Sequence, residues 1–265
     1  MTLASEGDSM LDSADDDGRK YRAPALEKGL DVLELLSQHG APLTPSQMSA
    51  QLGRSVSELF RMIQVLEFRG YIEPTPSGYR LTNRLFTLGI AHGPAKDLVE
   101  AALPHMRDLA EATVQSCHLV VRSGDQIVVV ARIEAPGDLG YSVRIGYRRK
   151  VIEATSGLLF YGFASERTRA RLRESLAARH SKKQVADYVA AAETAATLGH
   201  AERPSDFVKG VTDLVAPIIG AEGILATLIT PYIERTPAVG SMADATEQLR
   251  RAAAAISGEM GHSAT

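Results

Sequence analysis

The hydrophobic and polar positions in the first part of the chain follow the spacing of amphipathic helices. Leucines recur every three or four residues from Leu26 to Leu36, and Gly40 ends this first pattern. Two shorter helical patterns follow and end near Gly53 and Gly70. The spacing therefore predicts three helices, over about residues 25–39, 45–52 and 56–69.

Two of these helices begin with a capping signal. Thr44 stands before Pro45 and three residues before Gln47, and Ser55 stands three residues before Glu58. In a capping box the first hydroxyl accepts a bond from the third helical N–H, and the third side chain reaches back to the cap. We therefore predict a capping box at the start of the second and the third helix.

The segment after the third helix has the pattern of a short β-hairpin. Residues that favour strands at 71–73 and 79–81 flank a turn at 74–78 that is rich in proline, serine and glycine. Three helices followed by a small hairpin are typical of a winged helix-turn-helix, with the turn of its helix pair at residues 52–54. We predict this domain over residues 24–90.

The rest of the chain mixes helical and strand patterns without strict alternation. Helical spacing continues after the hairpin but is interrupted at Gly93-Pro94 and at Pro104, which predicts a linker helix over 91–115 with a break. Later patterns predict strands over residues 118–121, 127–133, 214–219 and 224–230, and helices over residues 155–177, 182–198 and 243–258. This order indicates an α+β fold, with a mainly antiparallel sheet in a second domain over 116–260.

Charge is distributed unevenly along the 265 residues. The formal net charge is −3, but the first 18 residues hold six acids and no base, so the remaining residues carry +3. An acidic segment with so few apolar residues cannot bury enough surface to fold, and we expect residues 1–23 to form a disordered head. Arg19, Lys20 and Arg22 contact DNA as a flexible arm or remain a solvated tail.

The remaining composition excludes several classes of protein. Cys117 is the only cysteine, so it cannot form an internal disulfide, and no cysteine or histidine cluster has the spacing of metal ligands. No apolar stretch approaches the roughly 18 residues of a membrane span, and the N-terminus lacks the pattern of a signal peptide. We therefore expect a cytoplasmic protein without a metal or cofactor.

The third helix carries the strongest candidate chemistry. If Leu59 and its apolar neighbours face the core, helical geometry turns a polar and aromatic set outward. Arginine can pair with guanine, glutamine with adenine and serine with either, and an aromatic ring can pack on a thymine methyl group. The predicted DNA-binding residues are Thr44, Arg54, Ser55, Ser57, Phe60, Arg61, Gln64, Ser77 and Tyr79. The alternative interpretation is an ordinary polar face with one stray aromatic residue.

Two other groups of residues admit a chemical interpretation. The tract over 166–183 holds seven bases and two acids, which favours a solvated face over a second nucleic-acid surface. Cys117 and His118 are of the types that form a nucleophile and its base, but adjacent residues on a strand point to opposite faces. No glycine-rich phosphate loop and no Gly-x-Ser-x-Gly motif occurs, so no catalytic residue is predicted.

Five segments in order resemble the IclR family of bacterial transcriptional regulators. They are ALEKGLDVLELL, LFRMIQVLEFRGYI, GYRLTNRLFTLG, EATSG and KGVTDLVAPIIGAEGILATLIT, and the resemblance covers about residues 24–258. It implies a winged helix-turn-helix that binds double-stranded operator DNA and a linker helix that helps the chain to form a dimer or tetramer. It also implies a C-terminal GAF-like domain that binds a small effector.

The resemblance further implies an effector site around the Ser-Gly turn and the last two strands. On this chain it places the site at Val151, Gly157, Leu158, Asp213 and Thr230. The alternative is that these residues pack the core, and that Thr155 and Ser156 only cap the following helix. The chain departs from the family pattern at residues 151–154, at 202–206, and at Asp213, where the family often has cysteine.

Asp213 leads to an expectation about the effector. A carboxylate in a largely apolar cup must be paired or hydrogen-bonded, because an isolated buried charge is costly. We expect the ligand, Arg144 or another nearby base to present donors to Asp213, which favours a hydroxylated or amino-bearing aromatic or carboxylic acid over a bare dicarboxylate. The alternative is that Asp213 points away from the cup and touches nothing.

The sequence as a whole predicts a ligand-responsive, DNA-binding transcriptional regulator. The alternative from another class is a metabolic enzyme that acts on a small organic acid and carries an accessory interaction domain. A third possibility is a DNA-binding protein without a ligand. We also expect a homodimer in the absence of DNA, based on the apolar stripe of the linker helix formed by Leu98, Ala102, Met106 and Leu109.

Overall fold

A computed structural model of the chain describes residues 23–90, 94–137, 140–236 and 239–261. The predicted acidic head, its basic neighbours and Gly93 of the predicted helix break lie outside these residues. The chain divides into two compact units near residue 91. No helix in the described ranges is both long enough and apolar enough to cross a membrane.

The first unit has the order of elements predicted for a winged helix-turn-helix. Within the described residues it contains α1 (Pro24–His39), α2 (Pro45–Leu52), α3 (Val56–Phe68), β1 (Ile72–Thr75), β2 (Gly78–Leu81) and α4 (Arg84–Ile90). Strands β1 and β2 pair antiparallel as a hairpin, with Thr75 opposite Gly78 at the turn. The three predicted helices and the hairpin are therefore confirmed to within one or two residues at their ends.

Both predicted capping boxes are present. The Thr44 hydroxyl accepts the Gln47 N–H at 3.3 Å, and the Thr44 N–H donates to Gln47 Oε1 at 2.8 Å. In the same way, Ser55 Oγ accepts the Glu58 N–H at 3.3 Å, and the Ser55 N–H donates to Glu58 Oε2 at 3.1 Å. These bonds satisfy backbone N–H groups at helix starts that have no intrahelical partner.

The hairpin is attached to the segment that precedes α2. Leu43 is buried, and its N–H and C=O both pair with the backbone of Tyr79 at 3.0 and 2.8 Å. Gly78 has a φ of +131°, and a Cβ there would lie 2.4 Å from the carbonyl carbon of Leu43. This close approach of two backbones requires glycine. The pairing joins the hairpin to a core that also contains Val32 and Ile63.

The second unit is built on an antiparallel sheet, as predicted for an α+β fold. Its described elements are α5 (Pro94–Thr113), β3 (Cys117–Ser123), β4 (Gln126–Ile133), β5 (Arg148–Lys150), α6 (Thr155–Gly162), α7 (Glu166–Ala177), α8 (Lys182–Leu198), β6 (Ala201–Pro204), β7 (Val211–Gly220), β8 (Gly223–Ile233) and α9 (Met242–Glu259). The six strands follow the order β5-β4-β3-β8-β7-β6. The polar edge strands β5 and β6, with sequences RRK and AERP, lack the apolar pattern that would have predicted them.

Two helix predictions in this unit were wrong. The helix predicted over 155–177 is two helices, because Ser165 caps α7 by accepting the Thr168 N–H. The break predicted at Pro104 is absent, and α5 continues through that residue. Pro104 lies on the exposed side of α5, where packing of the opposite face outweighs the one lost backbone hydrogen bond.

Helices cover the two faces of the sheet and define two cores. One face packs against α5 and α9, and the other packs mainly against α6 and α8. The apolar stripe of α5 belongs to the first of these cores, and its four members are Leu98, Ala102, Met106 and Leu109. The expectation that this stripe pairs two subunits was therefore wrong, because α9 and the sheet of the same chain already bury it.

Candidate DNA-binding face and ligand cavity

The exposed face of α3 has the composition expected from its periodicity. Leu59 and Ile63 are fully buried, whereas four side chains on the opposite face are exposed to solvent. These exposed residues are Ser57, Phe60, Arg61 and Gln64. Phe60 is 50% exposed, which is unusual for a large apolar side chain on a helix that has a core to face. The predicted orientation of α3 is confirmed, and contact of this face with DNA stays a prediction.

Three other predicted DNA-binding side chains are engaged inside the first unit. Arg54 Nη2 donates to Asp31 Oδ2 of α1 at 2.9 Å, and both side chains are about one third exposed. The hydroxyls of Thr44 and Ser55 serve the capping boxes. The cap residues and Arg54 therefore have structural roles within the first unit.

The hairpin presents one of its two predicted residues to solvent. Ser77 is exposed at the turn, but Tyr79 is half-buried and its hydroxyl donates to Glu67 Oε2 of α3 at 3.3 Å. Burial and the nearby Glu67 carboxylate raise the pKa of the Tyr79 phenol. Tyr79 therefore holds the hairpin against α3.

A small cavity in the second unit lies between the sheet and the start of α6. Apolar side chains from β3, β4 and β8 line it together with aromatic and polar groups from the connecting segments. The aromatic residues are Tyr141, Tyr147 and Phe207, and the principal polar residues are His118, Arg149, Thr155, Ser156 and Asp213. Its volume is about 60 Å³, and about 10 to 15 Å³ is enough for one water molecule.

Asp213 faces this cavity from β7. The Thr155 hydroxyl donates to Asp213 Oδ2 at 3.3 Å, so Asp213 does not point away from the cup. Burial raises the pKa of the Asp213 carboxyl, while the bond from Thr155 and the charge of Arg149 oppose the rise. Arg144 is exposed and does not line the cavity, so Arg149 is the other nearby base that the sequence left open.

The other four predicted effector residues do not line the cavity. Gly157 packs so tightly that a Cβ would lie 1.8 Å from the carbonyl oxygen of Val151, and Leu158 belongs to the core beside α8. Thr230 is buried on the opposite face of the sheet, because Ile229 and Pro231 on either side of it face the cavity and strand side chains alternate. Val151 is fully buried in the core beneath the turn.

A hydrogen bond within the core fixes the first turn of α6. The Tyr188 hydroxyl of α8 donates to the carbonyl oxygen of Gly157 at 2.6 Å, and its ring packs edge-on against Tyr161. The expected helix cap by Thr155 or Ser156 is absent, because Ala154 occupies the cap position and Thr155 bonds to Asp213. The turn therefore presents Thr155 and Ser156 to the cavity.

His118 is a cavity residue that the sequence analysis did not assign to the effector site. Its Nε2 accepts the Val143 N–H at 2.8 Å and lies 3.2 Å from the Ser142 hydroxyl. Burial and the positive charge of Arg132 lower the pKa of His118 to about 4, so the ring is neutral and its Nε2 is an acceptor. The feature of the sequence that could have identified His118 is its position among the apolar residues Leu119, Val120 and Val121 of a predicted strand.

Cys117 and His118 do not form a catalytic pair, as expected from strand geometry. Cys117 lies in the core on the α5 side, where its thiol donates to the carbonyl oxygen of Met106 at 3.3 Å. Burial raises the pKa of this thiol to about 12, which leaves no thiolate near neutral pH.

Bases in the tract over 166–183 are bound to groups of the second unit. Arg169 donates to the carbonyl oxygens of Gly162 and Ala164 at the end of α6. Arg173 donates to the Tyr161 hydroxyl at 2.8 Å. These bonds engage Arg169 and Arg173 within the second unit, which favours the solvated face over a second nucleic-acid surface for this tract.

Two family models match the sequence. Residues 25–76 match the IclR helix-turn-helix domain, and residues 94–258 match the C-terminal region of IclR, a bacterial transcriptional regulator. The chain belongs to the IclR family. The α+β fold with an N-terminal helix-turn-helix and the function of a DNA-binding transcriptional regulator are thereby confirmed.

Individual members of the IclR family align with nearly the whole chain. The HTH-type transcriptional regulator XynR of Escherichia coli is 25% identical over 254 residues, covering 91% of this chain and 98% of XynR. An IclR regulator from Alicyclobacillus acidocaldarius superposes with a TM-score of 0.70 at 23% identity, covering 91% of this chain and 100% of its own. An IclR homologue from Microbacterium hydrocarbonoxydans, complexed with 4-hydroxybenzoate, gives a TM-score of 0.74 at 20% identity. The match covers 89% of this chain and 98% of the homologue.

Proposed function

We propose that this IclR-family regulator contacts operator DNA through the exposed face of α3 and changes its DNA affinity when a small organic ligand enters the cavity. The proposed division is a DNA-binding domain over 24–90, a linker over 91–115 and an effector domain over 116–260. The observation that carries the DNA assignment is the exposed set of Ser57, Phe60, Arg61 and Gln64 on the side of α3 opposite the buried Leu59 and Ile63. We place its action in the cytoplasm, where operator DNA lies.

Arg61 is the residue of this face from which we expect the largest contribution. Arg61→Ala should weaken operator binding by about 5- to 150-fold, because one good base or phosphate contact contributes about 1 to 3 kcal/mol. The matched control is Arg69→Ala, since Arg69 is also exposed but follows the last residue of α3. The measurement is a DNA titration at two salt concentrations, with circular dichroism to verify the fold.

The two variants separate base recognition from phosphate contact. If Arg61 contacts a base, Arg61→Ala weakens binding to the operator more than to unrelated DNA. If it contacts phosphate, binding to both DNAs weakens and the salt dependence decreases by about one unit of slope. Wild-type affinity for operator in Arg61→Ala, or an equal loss in Arg69→Ala, would contradict the assignment of this face.

For the effector we propose a compact aromatic or carboxylic acid that also carries a hydroxyl or amino donor. Asp213 accepts one bond from Thr155, and a donor on the ligand supplies a second partner for its half-buried carboxyl group. Tyr141 and Tyr147 offer aromatic surface, and Arg149 offers a cation for a ligand carboxylate. The 4-hydroxybenzoate bound by the Microbacterium homologue combines a ring, a hydroxyl and a carboxylate, and we propose this chemical class.

Calorimetry with 4-hydroxybenzoate, 4-aminobenzoate and benzoate tests the role of Asp213. We expect the first two to bind wild type about tenfold or more tightly than benzoate, because a hydrogen bond to a charged group contributes about 1.5 to 3 kcal/mol. In Asp213→Ala this difference should disappear, whereas Asp108→Asn on the exposed face of α5 should retain it. Equal affinities for the three compounds in wild type would contradict the proposal.

We also propose that the regulator is a homodimer that pairs through its first unit. Apolar side chains remain exposed there on two helices, namely Leu26 and Leu30 on α1 and Leu85 and Leu88 on α4. A second copy that covers them matches the two-fold symmetry common to operators. Light scattering should give twice the monomer mass, and Leu30→Lys should shift the protein toward monomer.

The alternative function of a metabolic enzyme has a separate test. Turnover of a small organic acid by the purified protein would favour that alternative.

A further inference from the structure

The cavity of the second unit is too small for the proposed ligand as it stands. Its volume is about 60 Å³, whereas a protein cavity of about 150 Å³ is known to accommodate benzene. A benzene ring with a carboxylate and a donor group therefore requires one wall of the cavity to move. Strands β3, β4, β7 and β8 and helix α6 form the rigid walls, since their apolar side chains are packed in the cores of the second unit.

The segment between β6 and β7, residues 205–210, forms a different kind of wall. It contributes Ser205 and Phe207 to the cavity, and Phe207 is 54% exposed. Its own backbone bonds are local, as the Ser205 N–H donates to the Val211 carbonyl and the Phe207 N–H donates to Ser205 Oγ. This segment, which we call the Phe207 loop, therefore has few attachments that a movement would disrupt.

Arg149 joins the Phe207 loop to the edge strand β5. Its Nη2 donates to Asp206 Oδ2 at 2.7 Å, and its guanidinium carbon lies 4.2 Å from the centre of the Phe207 ring. The rings of Tyr147 and Phe207 pack nearly perpendicular to each other, with centroids 6.1 Å apart. One cation thus holds the loop through an ion pair and a cation–π contact.

Arg149 is also the cation that the cavity offers to an anionic ligand. Its side chain is only 15% exposed and lines the cavity, with Glu153 Oε2 3.6 Å from its Nε. Guanidinium binds carboxylates through paired N–H groups, so a ligand carboxylate and Asp206 compete for the same donors. A ligand that displaces Asp206 removes the ion pair that keeps the Phe207 loop in place.

We infer that the Phe207 loop is a movable wall of the effector cavity, held closed by Arg149, and that Asp206 occupies the position on Arg149 that the carboxylate of an entering ligand takes over. The class of ligand that opens the loop is taken from the proposed function, and this part of the inference rests on it. The contacts that close the loop are independent of any ligand.

The chain contains no tryptophan, which allows a direct test of loop closure. Phe207→Trp introduces a single indole at the loop, and acrylamide quenching of its fluorescence reports how often the loop opens. In this background, Asp206→Asn and Arg149→Gln should each increase the quenching constant by about two- to fivefold, as expected for the loss of an ion pair or a cation–π contact. Asp108→Asn in the same background is the control and should leave quenching unchanged.

The Asp206→Asn variant keeps the test valid if Arg149→Gln does not fold. Asp206 is half-exposed, so its replacement by the isosteric amide leaves the core intact. Equal quenching in Phe207→Trp with and without Asp206→Asn would overturn the inference. So would an increase of the same size in the Asp108→Asn control.

Adding 4-hydroxybenzoate to the same variants separates the loop from the ligand. We expect quenching to change on ligand addition in the Asp206-containing protein, and the affinity to rise in Asp206→Asn because the competing carboxylate is gone. Ligand binding with unchanged quenching, or with lower affinity in Asp206→Asn, contradicts the loop inference. A third outcome is that Asp206→Asn increases quenching but none of the three benzoates binds. This result would contradict the proposed ligand class and support loop closure.

Discussion

The two units of this chain place their candidate functional residues in different ways. In the first unit the exposed residues come from one helix and repeat with its period, so neighbours in the sequence become neighbours on the surface. In the second unit the cavity takes side chains from β3, β4, β5, β7, β8, α6 and three connecting segments. A surface made by one element follows from local geometry, whereas a cavity made by several elements depends on how strands pair across the chain.

The cause of the largest pKa shift also differs between the two units. Glu58 in the first unit has a pKa lowered to about 2, chiefly by the hydrogen bond from Lys28 and then by the Ser55 N–H. For His118 and Cys117 in the second unit burial is the largest cause, and it lowers the pKa of His118 to about 4 and raises that of Cys117 to about 12. Exposed partners thus shift the pKa of Glu58, and the loss of water shifts those of His118 and Cys117.

The largest predicted difference between the units concerns two helical glycines. Gly157→Ala should destabilise the second unit by about 3 kcal/mol or more, because the new methyl group would overlap the carbonyl oxygen of Val151. Gly29→Ala in α1 places a methyl group with no atom within 4 Å and should stabilise the first unit by up to about 1 kcal/mol. Urea unfolding followed by circular dichroism measures both changes.

This pair of variants tests whether the first turn of α6 requires glycine at position 157 because of its close approach to Val151. If Gly157→Ala were as harmless as Gly29→Ala, the close approach to Val151 would not exist in solution. The contrast between a packed turn and an open helix face would then be lost.

A change of pH should affect the second unit in a range that leaves the first unit unaffected. Unfolded His118 takes up a proton below pH 6.5, but the folded ring does so only below about 4. The contribution of His118 to the free energy of unfolding is therefore fully present above pH 6.5 and is lost as the pH drops toward 4. The loss amounts to about 2 kcal/mol at pH 5. Protonation also replaces the Nε2 lone pair that accepts the Val143 N–H. Thermal unfolding at pH 7 and pH 5 measures the loss.

His118→Gln provides the control for this pH effect. Its amide oxygen can accept the same N–H group but does not titrate, so the additional loss between pH 7 and pH 5 should disappear. Glu58 in the first unit has a lowered pKa, so its contribution is present above pH 4.5 and is lost only as the pH falls toward 2. An unchanged pH dependence in His118→Gln would assign the effect to another group.

The smallest predicted effect is the same in both units. Ser55→Ala and Ser241→Ala each remove the cap of a capping box, at the start of α3 and of α9, and each should cost about 1 kcal/mol. A cap is a local device, so the surrounding fold should not change its contribution. Urea unfolding of both variants checks this, and a difference well above 1 kcal/mol would show that one cap also supports tertiary packing.

Much of the first unit was predictable from the sequence, including α1, α2, α3, both capping boxes and the orientation of α3. The engagement of Arg54 by Asp31 and of Tyr79 by Glu67 was not, because each pair joins residues on different elements. In the second unit Asp213, which the family resemblance placed at the effector site, lines the cavity, and its contact with a ligand stays a prediction. Thr230 was wrongly placed at the cavity. Side chains alternate along β8, so Thr230 must point to the face opposite the cavity once Ile229 is known to line it.

The sequence accounts for elements whose signals lie within about four residues, because helix periodicity, caps and tight turns depend on contacts at that separation. It also accounts for the family, through the order of several such segments. The composition of the cavity depends instead on strand register, which brings Thr155 to Asp213 and Val143 to His118 across the fold. Short polar strands such as β5 carry no apolar pattern, so the meeting of Arg149 with Asp206 and Phe207 appears only when the sheet is assembled.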